Sequence, residues 1–392
     1  MKIALLMPSG QYASTPCVRS LAEELADAGI VVDVFTVKNR TLPSVDKIGN
    51  KIQNATSAPN IINYPIVQSG FWENIPVLMT GFFLWLFLKV RRGQYDLIIA
   101  CGIRALILAG MINLFYKRPY IYNSLELYIQ HEITSIKGNI GKKLEKYFNK
   151  RAEFTIIQDH IRSKILVEEN GINSDSILLF PNSPRGGAVQ KDPVEKEYLL
   201  NKYSLDPDTK LILYAGTIFA PWAMTPNLIR AAQDWPEHWK LLLHCRADTS
   251  TMRELEQFKA IDKASRVLFS TKPLDGAEYE KLVQGCDVGV SLYDGDLSDN
   301  IKYVGLSSGK LAQFLKYGLP IIVNNIPMWP ELIAKYKCGA IVHQSQEIKG
   351  ALDKIFKDYE RCVENAEQFF DSVLKLDNYT QQLIKAISVL SR

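Results

Sequence analysis

The sequence predicts an α/β fold with two Rossmann-like domains that face each other across a central crevice. Short apolar runs alternate with longer segments of helical periodicity through both halves of the chain, as in helix-covered parallel sheets. A stretch containing glycine, lysine and aspartate, from about 185 to 196, separates the two halves. The chain has 392 residues, of which 47% are hydrophobic and 22% are charged, and this suits a soluble protein of two domains.

The first half predicts one parallel sheet. Its apolar runs indicate strands at 2–7, 30–37, 96–101, 119–122 and 154–157. Helical periodicity indicates helices at 16–28 and 103–116. The first apolar run is too short for the core of a secretory signal, and it ends at Pro8, Ser9 and Gly10 as a buried strand ends in a loop. We therefore expect no signal peptide.

The second half predicts another sheet of the same kind. Its strands are expected at 211–215, 240–245, 266–269, 286–292 and 320–323, followed by a long helical tail at 346–390. In open α/β sheets, ligands bind beyond the carboxyl ends of the strands. The loops at Gly216, Arg246, Ser270 and Ser307 are therefore expected to converge on one ligand site.

A short helix in the second half has the features of an anion site. It opens at 307–310 (SSGK) and ends at 318–320 (GLP), and Leu311, Phe314 and Leu315 give it one buried face. The serines are good N-caps, and free N–H groups of the first turn, the helix dipole and Lys310 together favour a diphosphate. A capped surface helix with a solvated lysine is the alternative.

Charge and cysteine content restrict the compartment and the partners. Residues 1–190 contain 21 Lys and Arg against 15 Asp and Glu, whereas the remainder contains 25 against 27. Six cysteines show no metal-ligand or redox spacing, which predicts a reduced, cytoplasmic protein. No compact basic stretch alternates with aromatic residues, so we expect no nucleic-acid partner.

Two features of the first half suggest a membrane surface. The apolar run 77–88 falls short of the about 20 residues that span a bilayer, so we expect a buried helix, with partial insertion into a membrane face as the alternative. The second feature is a basic cluster, which contains Lys137, Lys142, Lys143, Lys146, Lys150 and Arg151. Together with Arg91 and Arg92, this cluster favours a protein that works at an anionic lipid surface over one that acts on a freely soluble acceptor substrate. A solvated helix face also explains the cluster.

An ordered series of short motifs resembles the GT-B glycosyltransferases, specifically the retaining family 4. The first half contributes 95–102 (YDLIIACG), 122–127 (YNSLEL) and the junction 181–184 (PNSP). The second half contributes 213–217 (LYAGT), 242–246 (LLHCR), 286–290 (CDVGV) and 305–311 (GLSSGKL). The resemblance implies an acceptor-binding domain at 1–186, a donor-binding domain at 187–370 and a C-terminal helix at 371–392 that packs back on the first domain.

The resemblance also implies the donor site. It places a nucleotide-diphosphate sugar of the UDP or GDP type against Gly216, Thr217, Arg246, Ser270, Lys272, Leu274, Ser307, Ser308, Gly309, Lys310 and Gln313. Three departures from the family pattern matter here. Gln313 replaces the usual ribose-binding glutamate, Gly305 replaces an earlier acidic residue, and Leu125 replaces a histidine that contacts the sugar. His131 is a candidate substitute for that histidine.

The resemblance implies a metal-independent hexosyltransferase that retains the anomeric configuration. Lys310 and Arg246 would stabilise the departing diphosphate, and Glu126 would orient the sugar or the acceptor. Acceptor contacts are expected from Gly10, Gln11 and Thr15. The acceptor is expected to be a glycan or a lipid-linked glycan of bacterial surface polysaccharide or glycolipid assembly, used at the inner face of the cell membrane.

Three alternatives remain open at this point. The losses at Leu125 and Gln313 favour a non-catalytic GT-B subunit that binds sugar nucleotides. A sugar-nucleotide 2-epimerase shares the two-domain architecture but needs more acidic and histidine groups in the crevice. Asp294 and Asp296 resemble the metal-binding Asp-x-Asp of GT-A enzymes, yet they follow a strand late in the chain.

Overall fold

A computed structural model describes residues 1–9, 12, 15–39, 58–68, 76–245 and 251–390. The chain divides into two compact units. Unit 1 comprises Met1–Arg185 and Leu376–Arg392, and unit 2 comprises Gly186–Lys375. The chain returns to unit 1 at Leu376, after the helical turn Phe370–Leu374 of unit 2.

Unit 1 contains a seven-stranded parallel sheet. Its strands are β1 (Lys2–Met7), β2 (Val31–Asn39), β3 (Asn60–Gln68), β4 (Leu97–Cys101), β5 (Tyr120–Asn123), β6 (Phe154–Ile157) and β7 (Ile177–Leu179). Their order is β3-β2-β1-β4-β5-β6-β7, so the direction of winding reverses between β1 and β4. Two of these strands, β3 and β7, are absent from the prediction. Pro65 interrupts the sequence pattern of β3, and β7 has only three residues.

Helices cover both faces of this sheet. They are α1 (Pro16–Asp27), α2 (Pro76–Gly93), α3 (Ile103–Tyr116), α4 (Ile136–Asn149) and α5 (His160–Asn170), with α15 (Asp377–Val389) returning from the C-terminal end. One face of the sheet packs against α1 and α15 through buried residues that include Leu21 and Leu383. The opposite face packs against α2, α3 and α4 through Leu86, Ala105 and Phe148.

Unit 2 contains a six-stranded parallel sheet with the same kind of reversal. Its strands are β8 (Lys210–Ala215), β9 (Trp239–His244), β10 (Val267–Ser270), β11 (Val288–Ser291), β12 (Ile321–Asn324) and β13 (Gly339–Val342). The order β10-β9-β8-β11-β12-β13 places the reversal between β8 and β11. Both sheets therefore have the Rossmann-like, parallel α/β architecture that the sequence predicts.

The helices of unit 2 include the one expected to bind an anion. They are α6 (Pro193–Lys202), α7 (Thr225–Ala232), α8 (Met252–Ile261), α9 (Gly276–Gln284), the single turn α10 (Asp299–Lys302), α11 (Gly309–Lys316), α12 (Trp329–Tyr336), α13 (Ile348–Lys357) and α14 (Tyr359–Phe369). The expected long tail is thus divided into α13, α14, the turn Phe370–Leu374 and α15. α13 ends at its C-cap residue Asp358, whose backbone N–H donates to the carbonyl oxygen of Ile355, and α14 begins at the next residue.

A buried polar network fixes α4 and α5 against the sheet of unit 1. The ammonium of Lys142 lies 2.9 Å from a carboxylate oxygen of Glu145 and 2.8 Å from the amide oxygen of Asn170. The other carboxylate oxygen of Glu145 accepts a hydrogen bond from Tyr122 at 3.0 Å. Both side chains of the ion pair are fully buried. Assigning Lys142 to a basic surface cluster was therefore wrong, because the lysine is enclosed and neutralised within the fold.

We expect Lys142→Met to destabilise the protein by about 3 to 5 kcal/mol, since it leaves the Glu145 carboxylate buried without a cation. The exposed neighbour Lys143 provides the matched control, and Lys143→Met should change the free energy of unfolding by no more than about 0.5 kcal/mol. Urea denaturation of both variants measures this difference. A loss below about 1 kcal/mol for Lys142→Met would contradict the account of the network.

Candidate functional site

The candidate site lies at the carboxyl ends of β8 and β11, where the winding of the unit 2 sheet reverses. At such a reversal the loops that follow the two strands diverge, and they leave a crevice above the sheet. Gly216 follows β8 directly and has a φ of 108°, in the region that favours glycine, and a Cβ there would point into open space. The backbone can therefore approach a ligand closely at this position.

Lys310 extends into this region from the first turn of α11. Its ammonium nitrogen lies 4.7 Å from the ring centroid of Tyr214, 4.9 Å from that of Tyr293 and 5.8 Å from that of Trp222. These distances are within the range of cation–π attraction. We call the three rings the aromatic cage. The sequence analysis did not identify the cage, because its members are separated in sequence and come together only when β8 and β11 pair.

Each ring of the cage is held by contacts of its own. Tyr214 is fully buried in β8 and donates a hydrogen bond to the carbonyl oxygen of Ala223. Trp222 lies in the turn Pro221–Ala223 and stacks on Tyr293, with ring centroids 6.0 Å apart and an interplanar angle of 15°. The side-chain amide of Asn324, at the end of β12, accepts a hydrogen bond from the backbone N–H of Tyr293 at 2.9 Å and donates one to the carbonyl oxygen of Tyr293 at 2.7 Å. The cage is therefore a preformed part of the fold.

The charge of Lys310 has no acidic partner among the described residues. Burial in the cage lowers the pKa of this lysine from 10.5 to about 7, and no carboxylate opposes that shift. The aromatic faces offset only part of the lost hydration of an ammonium group. A partly buried cation that is desolvated, with no carboxylate partner in the described part of the chain, is a strong binding site for an anionic ligand.

Ser308 does not cap α11, although the sequence suggested both serines as good N-caps. The hydroxyl of Ser308 lies 2.6 Å from the hydroxyl of Tyr293, and the hydroxyl of Ser307 donates to the carbonyl oxygen of Val304. Ser308, at the N-cap position, makes no capping hydrogen bond. The helix begins at Gly309, and the backbone N–H groups of its first turn remain without a side-chain cap. They are available to an anion next to Lys310.

The remaining predicted donor residues lie in different environments. Thr217 and Lys272 are exposed, whereas Leu274 and Gln313 are half-buried. Gln313 follows Lys310 by about one turn of α11. Ser270 is buried, and its hydroxyl lies 3.0 Å from Nδ1 of His244. Burial lowers the pKa of His244 to about 4, so this pair is neutral at physiological pH and belongs to the packing of β9 and β10.

In unit 1, the segment after β5 contains the predicted sugar-side residues. Glu126 is exposed, and Leu125 packs partly against the core of the unit. Two side chains from α5 and the residues before it hold this segment. Gln158 donates to the carbonyl oxygen of Ser124 at 2.7 Å, and the guanidinium of Arg162 lies 3.4 Å from the carbonyl oxygen of Leu125.

Arg162 is a residue that the sequence analysis missed. Its guanidinium is buried, which lowers its pKa, and the charges of Glu126 and Asp159 oppose that shift. Arg162 therefore places a buried positive charge whose field reaches Glu126, and it anchors the backbone of the preceding residue Leu125. The sequence offers a weak signal, because Asp159 caps α5 and Arg162 follows at the N3 position.

The positions of the other predicted residues add no argument for a function. His131 is exposed in the turn Gln130–Glu132, and Thr15 occupies the N-cap position of α1 without capping it. Asp294 accepts a hydrogen bond from the backbone N–H of Asp296, as a residue that caps a turn does. The predicted Arg246, Gly10 and Gln11 lie outside the described residues.

The two units and the site at the reversal of the second sheet define a protein with the GT-B architecture. HepE of Anabaena, solved with UDP-glucose, matches at a TM-score of 0.75 and 15% identity over 99% of this chain and 100% of its own. Sucrose-phosphate synthase of Thermosynechococcus elongatus matches at 0.77 and 17%, over 100% and 99%. WaaG, a glycosyltransferase involved in lipopolysaccharide biosynthesis, matches at 0.62 and 15%, over 97% and 98%.

A family model matches the C-terminal part of the chain, from the end of β11 in unit 2 to α15 in unit 1. The model of the glucosyltransferase 3-like C-terminal domain matches residues 292–387, which include Tyr293, Ser308 and Lys310. Among curated proteins, none matches this sequence significantly. The described fold is therefore that of GT-B proteins, and the family match is confined to residues 292–387.

We expect Lys310→Met to stabilise the ligand-free protein by about 1 to 3 kcal/mol at pH 7, since it removes a desolvated charge that is partly exposed. The unfolded chain holds the lysine proton more tightly than the folded one, so the penalty grows as pH falls from 10.5 to about 7 and is constant below that. Urea denaturation of both proteins at pH 7 and pH 10 measures it. An advantage that is equal at both values, or absent, would contradict the unpaired state of Lys310.

Proposed function

We propose that the protein is a glycosyltransferase that transfers a hexose from a nucleotide-diphosphate sugar to an acceptor hydroxyl. The observation that carries this proposal is the unpaired, caged ammonium of Lys310 beside the uncapped first turn of α11. A diphosphate satisfies both features at once, because it supplies the missing negative charge and accepts hydrogen bonds from free N–H groups. The GT-B architecture supports this interpretation.

In the proposed reaction, the bond between the anomeric carbon and the diphosphate oxygen breaks, and the acceptor oxygen forms a new bond to that carbon. Negative charge then accumulates on the leaving diphosphate, where Lys310 and the first-turn N–H groups stabilise it. The acceptor proton passes to a phosphate oxygen of the leaving group, so attack occurs on the same face and the anomeric configuration is retained. This route needs neither a metal ion nor a protein base.

A UDP-linked hexose is the donor that we propose. HepE was solved with UDP-glucose, and the family model that matches residues 292–387 describes a glucosyltransferase 3-like domain. Gln313 would meet the ribose, since it follows Lys310 by about one turn of α11. Its amide oxygen can accept from a ribose hydroxyl, although without the charge of a glutamate.

We also propose that the acceptor is lipid-linked and that the protein works at an anionic membrane surface, in bacterial polysaccharide or glycolipid assembly. Leu84 and Leu88 of α2 and Leu114 and Phe115 of α3 are exposed by 45% to 67%. We treat them as one apolar patch, because the ring of Phe115 lies 5.6 Å from the ring of Phe87 in α2. Exposed basic residues flank this patch, and they are Lys89, Arg91, Arg92, Lys117 and Arg118. Apolar groups beside cations are the combination that binds an anionic bilayer surface.

This patch refines the expectation for the run 77–88. Phe82, Leu86 and Val90 of α2 are buried against the sheet, whereas Leu84 and Leu88 point outward. None of the described helices is long and apolar enough to cross a membrane. On α4, which covers the same face of the sheet, Ile136, Ile140 and Lys143 are also exposed. The proposed contact is therefore peripheral.

Titration calorimetry with a panel of UDP-sugars and GDP-sugars tests the donor site. We expect binding of UDP-glucose that weakens as pH rises above 7, by up to about tenfold per pH unit, because Lys310 loses its proton while the diphosphate keeps its charge. Lys310→Arg should remove this dependence, since guanidinium stays protonated. Lys310→Met should weaken binding by about 100-fold or more.

The same panel separates the other functions. No heat with any activated sugar would contradict the donor site, and binding without transfer or hydrolysis would favour the non-catalytic subunit, for which the losses at Leu125 and Gln313 argue. Isomerised donor would identify an epimerase. Turnover that a chelator abolishes would contradict the metal-independent mechanism.

Flotation with vesicles that contain phosphatidylglycerol tests the membrane surface. We expect the protein to float at low salt and to be released at high salt, because screening weakens its contacts with the headgroups. Leu88→Glu with Phe115→Glu should reduce flotation several-fold. Val194→Glu, at an exposed apolar position of unit 2, is the matched control and should float as the unchanged protein does. Equal flotation of the patch variant, or none of the unchanged protein, would remove the proposal.

A further inference from the structure

We propose that Tyr293 is a positioning residue that keeps the first turn of α11 open for the diphosphate by withholding Ser308 from its N-cap role. This inference rests on the proposed donor site. A serine at an N-cap position ordinarily accepts a hydrogen bond from the N–H of the second or third helical residue. Such a cap would occupy the group that the anion needs, so serine and diphosphate would compete for it.

The geometry shows how this competition is avoided. The hydroxyl oxygens of Tyr293 and Ser308 lie 2.6 Å apart, and both side chains are buried. Ser308 has a φ of −78° and a ψ of 89°, and it makes no capping hydrogen bond. When Tyr293 donates to Ser308, the hydroxyl hydrogen of the serine is left for a phosphate oxygen. The serine is thereby converted from a competitor of the anion into a donor to it.

The backbone of Tyr293 is held firmly enough for this role. The side chain of Asn324 bonds both the N–H and the carbonyl oxygen of Tyr293, and the ring of Trp222 stacks on its ring. Burial raises the pKa of Tyr293 to about 12, so the phenol remains a hydrogen-bond donor throughout the physiological range. Tyr293, the hydrogen-bond partner of Ser308, therefore belongs to the loop after β11, and the sheet fixes the position of this loop.

Tyr293 has two separable contacts with the site. Its hydroxyl holds Ser308, whereas its ring lies 4.9 Å from the ammonium of Lys310. Tyr293→Phe removes the first contact and keeps the second. In this variant Ser308 is free to rotate and cap α11, and the diphosphate must then displace the cap before it binds.

A double-mutant cycle on the full-length protein tests this inference, with the dissociation constant of UDP-glucose measured by calorimetry at pH 6.5. We expect Tyr293→Phe to weaken binding about tenfold, since a typical cap is worth about 1 kcal/mol and the serine donor is lost as well. Ser308→Ala should weaken it only about threefold, because alanine cannot cap. Tyr293→Phe combined with Ser308→Ala should match Ser308→Ala alone, and so recover part of the loss.

Tyr359→Phe is the matched control, since its hydroxyl bonds Asp287 at the other end of β11. It should lower the melting temperature and leave the dissociation constant unchanged. The inference is overturned if Tyr293→Phe binds UDP-glucose as the unchanged protein does, or if the double variant binds no more tightly than Tyr293→Phe. Absence of binding by the unchanged protein is a separate result, which overturns the donor site itself.

Discussion

The proposed donor site depends on one electrostatic feature, which is a lysine ammonium held among three aromatic rings with no carboxylate beside it in the described part of the chain. Removing a cation from water is costly, and proteins usually offset that cost with an ion pair, as they do for Lys142 and Glu145 in unit 1 of this chain. At Lys310 the offset is incomplete. The fold therefore maintains a charge whose most favourable state is reached only when an anion arrives.

The sheet of unit 2 places this charge where a ligand can reach it. The reversal between β8 and β11 opens the loops that carry Trp222 and Tyr293, and it leaves Tyr214 at the end of β8. Gly289 in β11 allows α11 to pack closely, since a Cβ at that position would lie 2.3 Å from the ring of Phe314. The N-terminus of α11 is therefore held at the carboxyl end of the sheet by packing, independently of any ligand.

The local sequence pattern was enough to predict the architecture and the helix that carries the site. Alternating apolar runs predicted both parallel sheets, and the sequence at 307–320 predicted the helix and its lysine. The aromatic cage could not be predicted, because its rings meet only through the pairing of β11 with β8. The serine cap was expected from local preference, and the distant hydroxyl of Tyr293 overrides it. Lys142 looked like a surface charge, because a glutamate three residues later is also the usual pattern of a solvated helix face.

The most direct test of the central claim is the pKa of Lys310, measured by carbon-13 NMR titration of labelled lysine side chains, with Lys310→Arg to assign the resonance. The account predicts a pKa of about 7 in the free protein and a rise of more than one unit when UDP-glucose is bound, because the diphosphate supplies the missing charge. An ordinary pKa near 10.5 in the free protein, or a value that the nucleotide sugar leaves unchanged, would contradict it.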